Sequence, residues 1–163
     1  MSPAGEMILG EIDGEVCICD WIGVGRESLY HRIGQRLGAE FKEGSTPVLD
    51  ELKRELREYF EGERREFDLP LRFSGTNFQR QVWTRLRDIP YGKVISYAEL
   101  AQSIGNPKAV RAVARANSQN PISILVPCHR VIGADGILTC YAGGLSIKRC
   151  LLAIEGVMPA ILR

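Results

Sequence analysis

A thiol and an imidazole stand side by side in the run Val126-Pro127-Cys128-His129-Arg130, with a guanidinium directly after them. A free thiol titrates near pH ~8.5, so a nucleophilic cysteine needs a base or a nearby cation to supply thiolate at neutral pH. His129 is the only candidate base in this half of the chain, and Arg130 adds positive potential. Consecutive residues of extended backbone point to opposite sides, so joining Cys128 to His129 requires a turn after Pro127 or a bridging water. An imidazole acting as a base is in turn oriented by a third group. The acids of residues 71–163 are Asp88, Glu99, Asp135 and Glu155. Glu99 fits a capping box and Asp135-Gly136 a turn. Glu155, at the end of an apolar helix bearing Ile147, Leu151, Leu152 and Ile154, is therefore the expected partner. An inert buried cysteine is the alternative, and the dipeptide alone does not exclude it.

The other cysteines are Cys17, Cys19, Cys140 and Cys150, which makes an odd total of five. With no basic start and apolar core at Met1-Ser2-Pro3-Ala4-Gly5-Glu6, reduced thiols in a cytoplasmic protein are expected rather than a disulfide framework. Cys17 and Cys19 lie two apart in Glu15-Val16-Cys17-Ile18-Cys19, so they share one face of a strand and read as packed structural thiols. A zinc site would have to recruit His31 without any C-x-x-C pair, and no metal is expected.

The elements that must position these groups fall into two unlike halves. At 163 residues, 45% apolar and 25% charged, the chain has enough apolar content for a packed core and no stretch long enough to span a membrane. Residues 1–70 hold 9 Lys/Arg against 16 Asp/Glu, whereas residues 71–163 hold 12 against 4. A net −7 beside a net +8 points the second half at a polyanion. We divide the chain into an acidic domain, 1–70, and a basic one, 71–163, with a charged linker over 63–73.

Residues 7–24 read as short strands with turns at Gly10, Asp13-Gly14 and Gly23. Residues 25–46 carry no clear signal. Thr46 caps a helix begun by Pro47 and ended by Gly62, with Leu49, Leu52, Leu56, Tyr59 and Phe60 as its apolar stripe. Thr76-Asn77-Phe78-Gln79 and Ser96-Tyr97-Ala98-Glu99 are capping boxes opening two helices, the second running to Ile104. Gly105 makes a sharp turn, after which Asn106 caps and Pro107 begins a helix reaching about Ala116. The last two helices form a helix-turn-helix unit. Its second helix is rich in alanine and carries Lys108, Arg111 and Arg115 at i, i+3 and i+7, a spacing that suits phosphates on one face. Residues 122–126 read as a buried strand that stops at Pro127 and fixes the thiol at its end.

These residues resemble the O6-alkylguanine-DNA alkyltransferase family. The match runs through Phe78-Gln79-Arg80-Gln81-Val82-Trp83, Ile89-Pro90-Tyr91-Gly92, Ser96-Tyr97-Ala98-Glu99-Leu100-Ala101 and Asn120-Pro121-Ile122-Ser123-Ile124. It continues through Val126-Pro127-Cys128-His129-Arg130-Val131-Ile132-Gly133, Tyr141-Ala142-Gly143-Gly144-Leu145, Lys148 and Leu151-Leu152-Ala153-Ile154-Glu155-Gly156. Nearly all of residues 73–157 are covered, while residues 1–70 match only in size.

The resemblance implies an α/β protein: a small ribonuclease H-like domain followed by a mostly helical, winged-helix-like domain. It implies irreversible, single-use transfer of an alkyl group from guanine O6 in double-stranded DNA to Cys128, without cofactor. A Glu155–His129–water–Cys128 relay would drive the transfer, with Asn120 bracing the turn beside it. The second helix would enter the minor groove and Arg111 would replace a flipped guanine, with Lys108, Arg115 and Arg130 as further DNA contacts. Tyr97 would rotate the nucleotide and protonate the leaving base, while Tyr141, Ala142, Gly143 and Lys148 would line or border the pocket. A monomer is expected.

The sequence departs from the family at three places. Ala142 stands where some relatives carry serine, which leaves guanine O6 to backbone donors. Cys140 stands where glycine or asparagine is frequent and is expected to be a spectator. Ala114-Arg115 replaces a smaller pair.

Overall fold

The computed structural model describes residues 1–23, 25–139 and 141–157. The chain opens with a hairpin of β1 (Met7–Ile12) and β2 (Glu15–Trp21), paired antiparallel. Asp13 and Gly14 both take positive φ, 51° and 81°, as a two-residue turn matching the twist of its strands demands. Gly10 is not a turn. It lies within β1, where the register steps from Gly10↔Ile18 to Glu11↔Val16 and leaves Cys17 unopposed. A Cβ on Gly10 would stand 3.2 Å from that of Ile18, so the missing side chain lets the strands close up at the bulge. The bulge also breaks the alternation that was to set both thiols on one face: Cys17 packs with Ile18 and Ile33, and Cys19 joins the main core.

The stretch without a clear signal holds α1 (Glu27–Leu37), ended by Gly38 at φ 65°. Next comes α2 (Pro47–Phe60), where Thr46 Oγ1 accepts from the Leu49 amide at 3.3 Å and Leu52, Leu56 and Tyr59 are buried. Residues 63–73 form no regular element, yet they are not a free linker. The Val16 amide donates to Pro70 O at 2.9 Å and the Arg72 amide to Val16 O at 2.8 Å.

The second half contains α3 (Asn77–Leu86), β3 (Ile95–Ser96), α4 (Tyr97–Ser103) and α5 (Val110–Ser118). A short 3-10 turn (Cys128–Arg130), β4 (Val131–Ile132) and α6 (Leu145–Ile154) follow. Both capping boxes form with their reciprocal bonds. Trp83 Nε1 donates to Ala116 O at 2.8 Å and ties α3 to α5. β3 and β4 pair in parallel as the small wing.

Two expectations fail here. First, α5 starts at Val110, not Pro107. Residues 106–109 form a tight turn closed by the Ala109 amide on Asn106 O at 3.0 Å, so Asn106 caps nothing and Lys108 precedes the helix. Second, residues 122–126 are not a strand. Ile124 sits at φ 72°, and the Val126 amide returns to Ile122 O at 3.0 Å, closing a buried turn whose apolar residues reflect depth rather than pairing.

One core serves both halves, with Val16, Cys19, Trp21, Leu52 and Tyr59 packed into the same cluster as Trp83, Leu100, Val113, Val126 and Leu151. The free edge of β2 completes the junction: Cys19 N donates to Pro121 O at 2.9 Å and Ser123 N to Cys19 O at 2.6 Å. A lone two-stranded hairpin is marginal in water, so the first half's sheet draws its stability from this packing. The tightest fit in the core gives a test. A Cβ on Gly75 would stand 2.5 Å from the ring of Trp83, which is 2% exposed and held by its bond to Ala116. Gly75→Ala should lower stability by about 1–3 kcal/mol, read as a reduced midpoint in urea unfolding.

Candidate active site

Pro127 ends the buried turn of residues 122–126, and the chain then coils into the 3-10 turn that carries Cys128, His129 and Arg130. Two amide side chains hold this coil. Asn120 Nδ2 donates to Val126 O at 2.8 Å and to Ile122 O at 3.3 Å, while Asn120 Oδ1 accepts from the Ile122 amide at 3.0 Å. Asn117 Nδ2 donates to Cys128 O at 3.3 Å. The turn that the Cys-His pair required after Pro127 is thus present and braced on two sides.

Cys128 is buried, which pushes its thiol up; the Asn120 side chain and the charges of Lys148 and Arg26 oppose that shift without cancelling it. The resting group is a thiol and needs a base. His129 is wholly buried, and burial pushes its imidazole down, so the ring is neutral. Its Nε2 lies 2.6 Å from Glu155 Oε1, and its Nδ1 has no partner among the described residues.

Burial alone would raise Glu155, but hydrogen bonds from His129 and Arg130, with the Arg130 charge beside them, outweigh it and hold the carboxyl well below the usual range. Arg130 makes a two-point pairing, Nε to Oε2 at 2.9 Å and Nη2 to Oε1 at 3.0 Å. An ionised Glu155 only accepts, so Nε2 of His129 carries the hydrogen and Nδ1 presents a lone pair. The arrangement is a buried thiol beside a neutral imidazole whose proton-accepting nitrogen is fixed by a carboxylate.

The remaining predicted residues separate into three groups. Lys108, Arg111 and Arg115 are exposed and form no ion pair among the described residues, although Lys108, outside α5, does not share its helical face. Tyr97, Tyr141, Gly143 and half-buried Ala142 gather around the loop that follows β4. Tyr97 Oη donates to Thr139 O at 3.2 Å, and Tyr141 Oη accepts from Trp21 Nε1 at 3.3 Å. The third group is Arg130 and Lys148, both buried. Arg130, expected as a DNA contact, points inward instead. Arg130 spends its guanidinium on Glu155 and on Ile89 O at 2.6 Å, and Lys148, fully buried, clamps Val131 O at 2.6 Å and Thr139 O at 3.1 Å. A buried cation must be paired where it lies, and both are. Cys140 lies outside the described residues. No grouping of three or more metal-binding side chains exists among the described residues, and His31 is exposed while Cys17 and Cys19 are buried.

Four residues of the site escaped the sequence reading, and three come from the acidic half. Tyr59 Oη donates to Glu155 Oε1 at 2.8 Å. Trp21 supports Tyr141, and a Cβ on Gly143 would stand 2.6 Å from its ring. Arg26 pairs with buried Asp20 at 3.1 Å and donates to Ser118 O and Asn120 O at 3.3 and 3.0 Å, closing the C-terminal end of α5. Asn117 is the fourth. It lies one residue past the expected end of its helix, and its inward direction was not legible.

A thiol-nucleophile site therefore sits directly behind a helix-turn-helix with exposed cations. Residues 77–157 match the model of the 6-O-methylguanine DNA methyltransferase DNA binding domain, and residues 33–73 that of its ribonuclease-like domain. The constitutive methylated-DNA–protein-cysteine methyltransferase of Bacillus subtilis is 45% identical over 162 residues, covering 96% of this chain and 92% of its own. The corresponding protein of Methanosarcina acetivorans is 58% identical over 106 residues, covering 65% of this chain and 68% of its own. The crystal structure of the O6-methylguanine methyltransferase of Mycobacterium tuberculosis superposes with a TM-score of 0.81 at 41% identity, over 98% of this chain and 92% of that one. A structure of the mycobacterial protein in complex with DNA gives 0.80 at 41% identity, over 94% of this chain and 88% of that one. The chain belongs to the O6-alkylguanine-DNA alkyltransferase family, the methylated-DNA–protein-cysteine methyltransferases.

The carboxylate sets a pH-dependent test. Its pKa is depressed in the fold, so its stabilisation is complete above the unfolded value of about 4.3 and fades as pH falls below it. Glu155→Gln, which leaves buried Arg130 without a counter-charge, should cost on the order of 3–5 kcal/mol at pH 7. Thermal unfolding should show the gap between parent and variant closing as pH is lowered below about 4.3.

Proposed function

We propose that this protein repairs DNA by moving the alkyl group of an O6-alkylguanine onto Sγ of Cys128. The observation that carries the reading is the braced turn in which a buried thiol neighbours a neutral His129 locked to an ionised Glu155. His129 Nδ1 takes the thiol proton through a bridging water, and the thiolate attacks the alkyl carbon. The carbon–O6 bond breaks with its electron pair passing to the base. Tyr97 protonates the leaving guanine and is reprotonated in turn. The thioether is stable, so each molecule acts once and no cofactor is consumed.

Guanine O6 takes part in base pairing, so a thiolate behind the helix-turn-helix reaches the alkyl group only after the nucleotide leaves the stack. Extrusion costs a few kcal/mol and is least for a damaged, poorly paired base. The small residues of α5 lie in the minor groove, Arg111 fills the vacated space, and Lys108 and Arg115 meet phosphates. Tyr141, Ala142 and Gly143 border the pocket, with backbone donors toward O6. The protein works as a monomer in the cytoplasm, where the thiol stays reduced.

Supplying one equivalent of a duplex carrying O6-methylguanine should add a single methyl mass to the Cys128 peptide and nowhere else; Cys128→Ser should abolish the label while leaving DNA affinity within about threefold. Arg111→Ala should slow transfer from duplex by about tenfold or more and leave transfer from the free base unchanged, an equal loss on both counting against its role in extrusion.

A further inference from the structure

Tyr59 is a buried polar group that the transfer chemistry does not yet use, although it reaches the centre of the site from the opposite half of the chain. It lies in the last turn of α2 and is fully buried. Its ring is held by three aromatic neighbours, Phe60 at 5.5 Å, Phe67 at 5.8 Å and Tyr91 at 6.3 Å between centroids. The hydroxyl therefore has little freedom, and it donates to Glu155 Oε1 at 2.8 Å. That is the oxygen His129 Nε2 approaches at 2.6 Å and Arg130 Nη2 at 3.0 Å, while Oε2 takes Arg130 Nε and the Gly92 amide at 2.9 and 3.2 Å.

We infer that Tyr59 is a positioning residue for alkyl transfer, its hydroxyl tempering the basicity of Glu155 and so setting how readily His129 is protonated. The inference rests on the transfer mechanism proposed above and extends it to a residue of the acidic half. A phenol donating to Oε1 shares that oxygen's electron density with His129. Each donor the carboxylate loses makes it a stronger acceptor for the remaining ones and a better stabiliser of imidazolium. With Tyr59 in place, His129 stays neutral and Nδ1 stays free to accept the thiol proton. Burial and the adjacent Glu155 raise the phenol far above its ordinary range, so it acts as a donor throughout the working pH range.

The other groups facing this cluster do not supply the same effect. Arg130 and Lys148 bear on His129 as fixed cations, Tyr91 donates to Ile154 O at 3.1 Å rather than to the carboxylate, and Cys128 and Tyr141 are raised by burial. His129 is thus the group whose titration governs the acid side of the reaction.

The test is the pH dependence of single-turnover methyl transfer by the full chain, using an O6-methylguanine duplex, for the parent and Tyr59→Phe. The variant keeps the ring and its aromatic packing. The acid limb should move to higher pH by about half to one unit, with the rate at alkaline pH and the affinity for DNA nearly unchanged. A limb that stays in place, or a rate lowered equally at every pH, would reduce Tyr59 to a packing residue and overturn the inference. NMR titration of His129 in both proteins reads the same shift without any transfer assay. An absence of transfer in the parent would then strike the alkyltransferase reading alone, and an unmoved His129 titration the role of Tyr59 alone. Fluorotyrosine at position 59, a stronger donor, should move both readouts the opposite way, and a shift in the same direction as Tyr59→Phe would refute the account.

Discussion

The carboxylate of Glu155 is a charge placed where water cannot solvate it, and the site is built to keep it there. An isolated buried carboxylate would take up a proton rather than stay ionised. Five donors prevent this: both edges of Arg130, the Gly92 amide, His129 and Tyr59. They come from four residues, one in α2, one in the loop before β3 and two successive ones in the 3-10 turn, and converge on the end of α6 that presents the carboxylate. Placing the arginine immediately after the histidine makes the same short turn that presents the nucleophile also anchor the group that orients its base. The constraint is mutual, because Arg130 is itself buried and pairs with no other carboxylate among the described residues.

The same logic explains why the two halves are joined so thoroughly. Net charges of opposite sign give a general attraction, but attraction between exposed charges is weak and screened at physiological salt. What fixes the junction is directional. β2 hydrogen-bonds both residues 70–72 and 121–123, Arg26 closes the C-terminal end of α5, and Trp21 underlies Gly143 and Tyr141. Apart from the bonds to residues 70–72, these contacts land on the segments before and after Cys128, at 118–123 and 141–143, rather than on Cys128 itself. The acidic half therefore acts as a backing plate for the active-site turn and the loop that borders the pocket.

How much of this was legible depended on whether the signal was local. Thr46-Pro47, the two capping boxes and Asp13-Gly14 are short patterns whose physics is complete within four residues, and each formed as read. Asn106-Pro107 was equally local yet misled, because a turn and a helix start use the same residues and only the Ala109–Asn106 bond separates them. The apolar run at 122–126 misled for another reason: burial selects apolar residues whether the backbone is extended or coiled, and Ile124 coils. Glu155 could be found by eliminating the other acids of its half. Tyr59, Trp21 and Arg26 could not, because nothing in their neighbourhoods marks a partner about a hundred residues away. Arg130 shows the converse failure, since a cation in a basic half suggests phosphate until its burial is known.

If, as proposed, each molecule acts once, it faces a demand that a turning-over enzyme does not, since any stray modification of Cys128 is a molecule lost. Exposed, low-pKa cysteines are the ones most readily oxidised or alkylated. Here the thiol is 2% exposed and burial holds it protonated, which protects it from both. That protection would be self-defeating without a base at hand. The neutral imidazole of His129 supplies one that is equally shielded, and because its own pKa is pushed down by burial it does not draw the thiol proton off in the resting state. On the proposed mechanism the thiolate that His129 generates is scarce until an electrophilic alkyl carbon sits against sulfur to capture it. The depressed imidazole, the raised thiol and the saturated carboxylate form one arrangement, and on the proposed reading it withholds the thiolate until the substrate arrives.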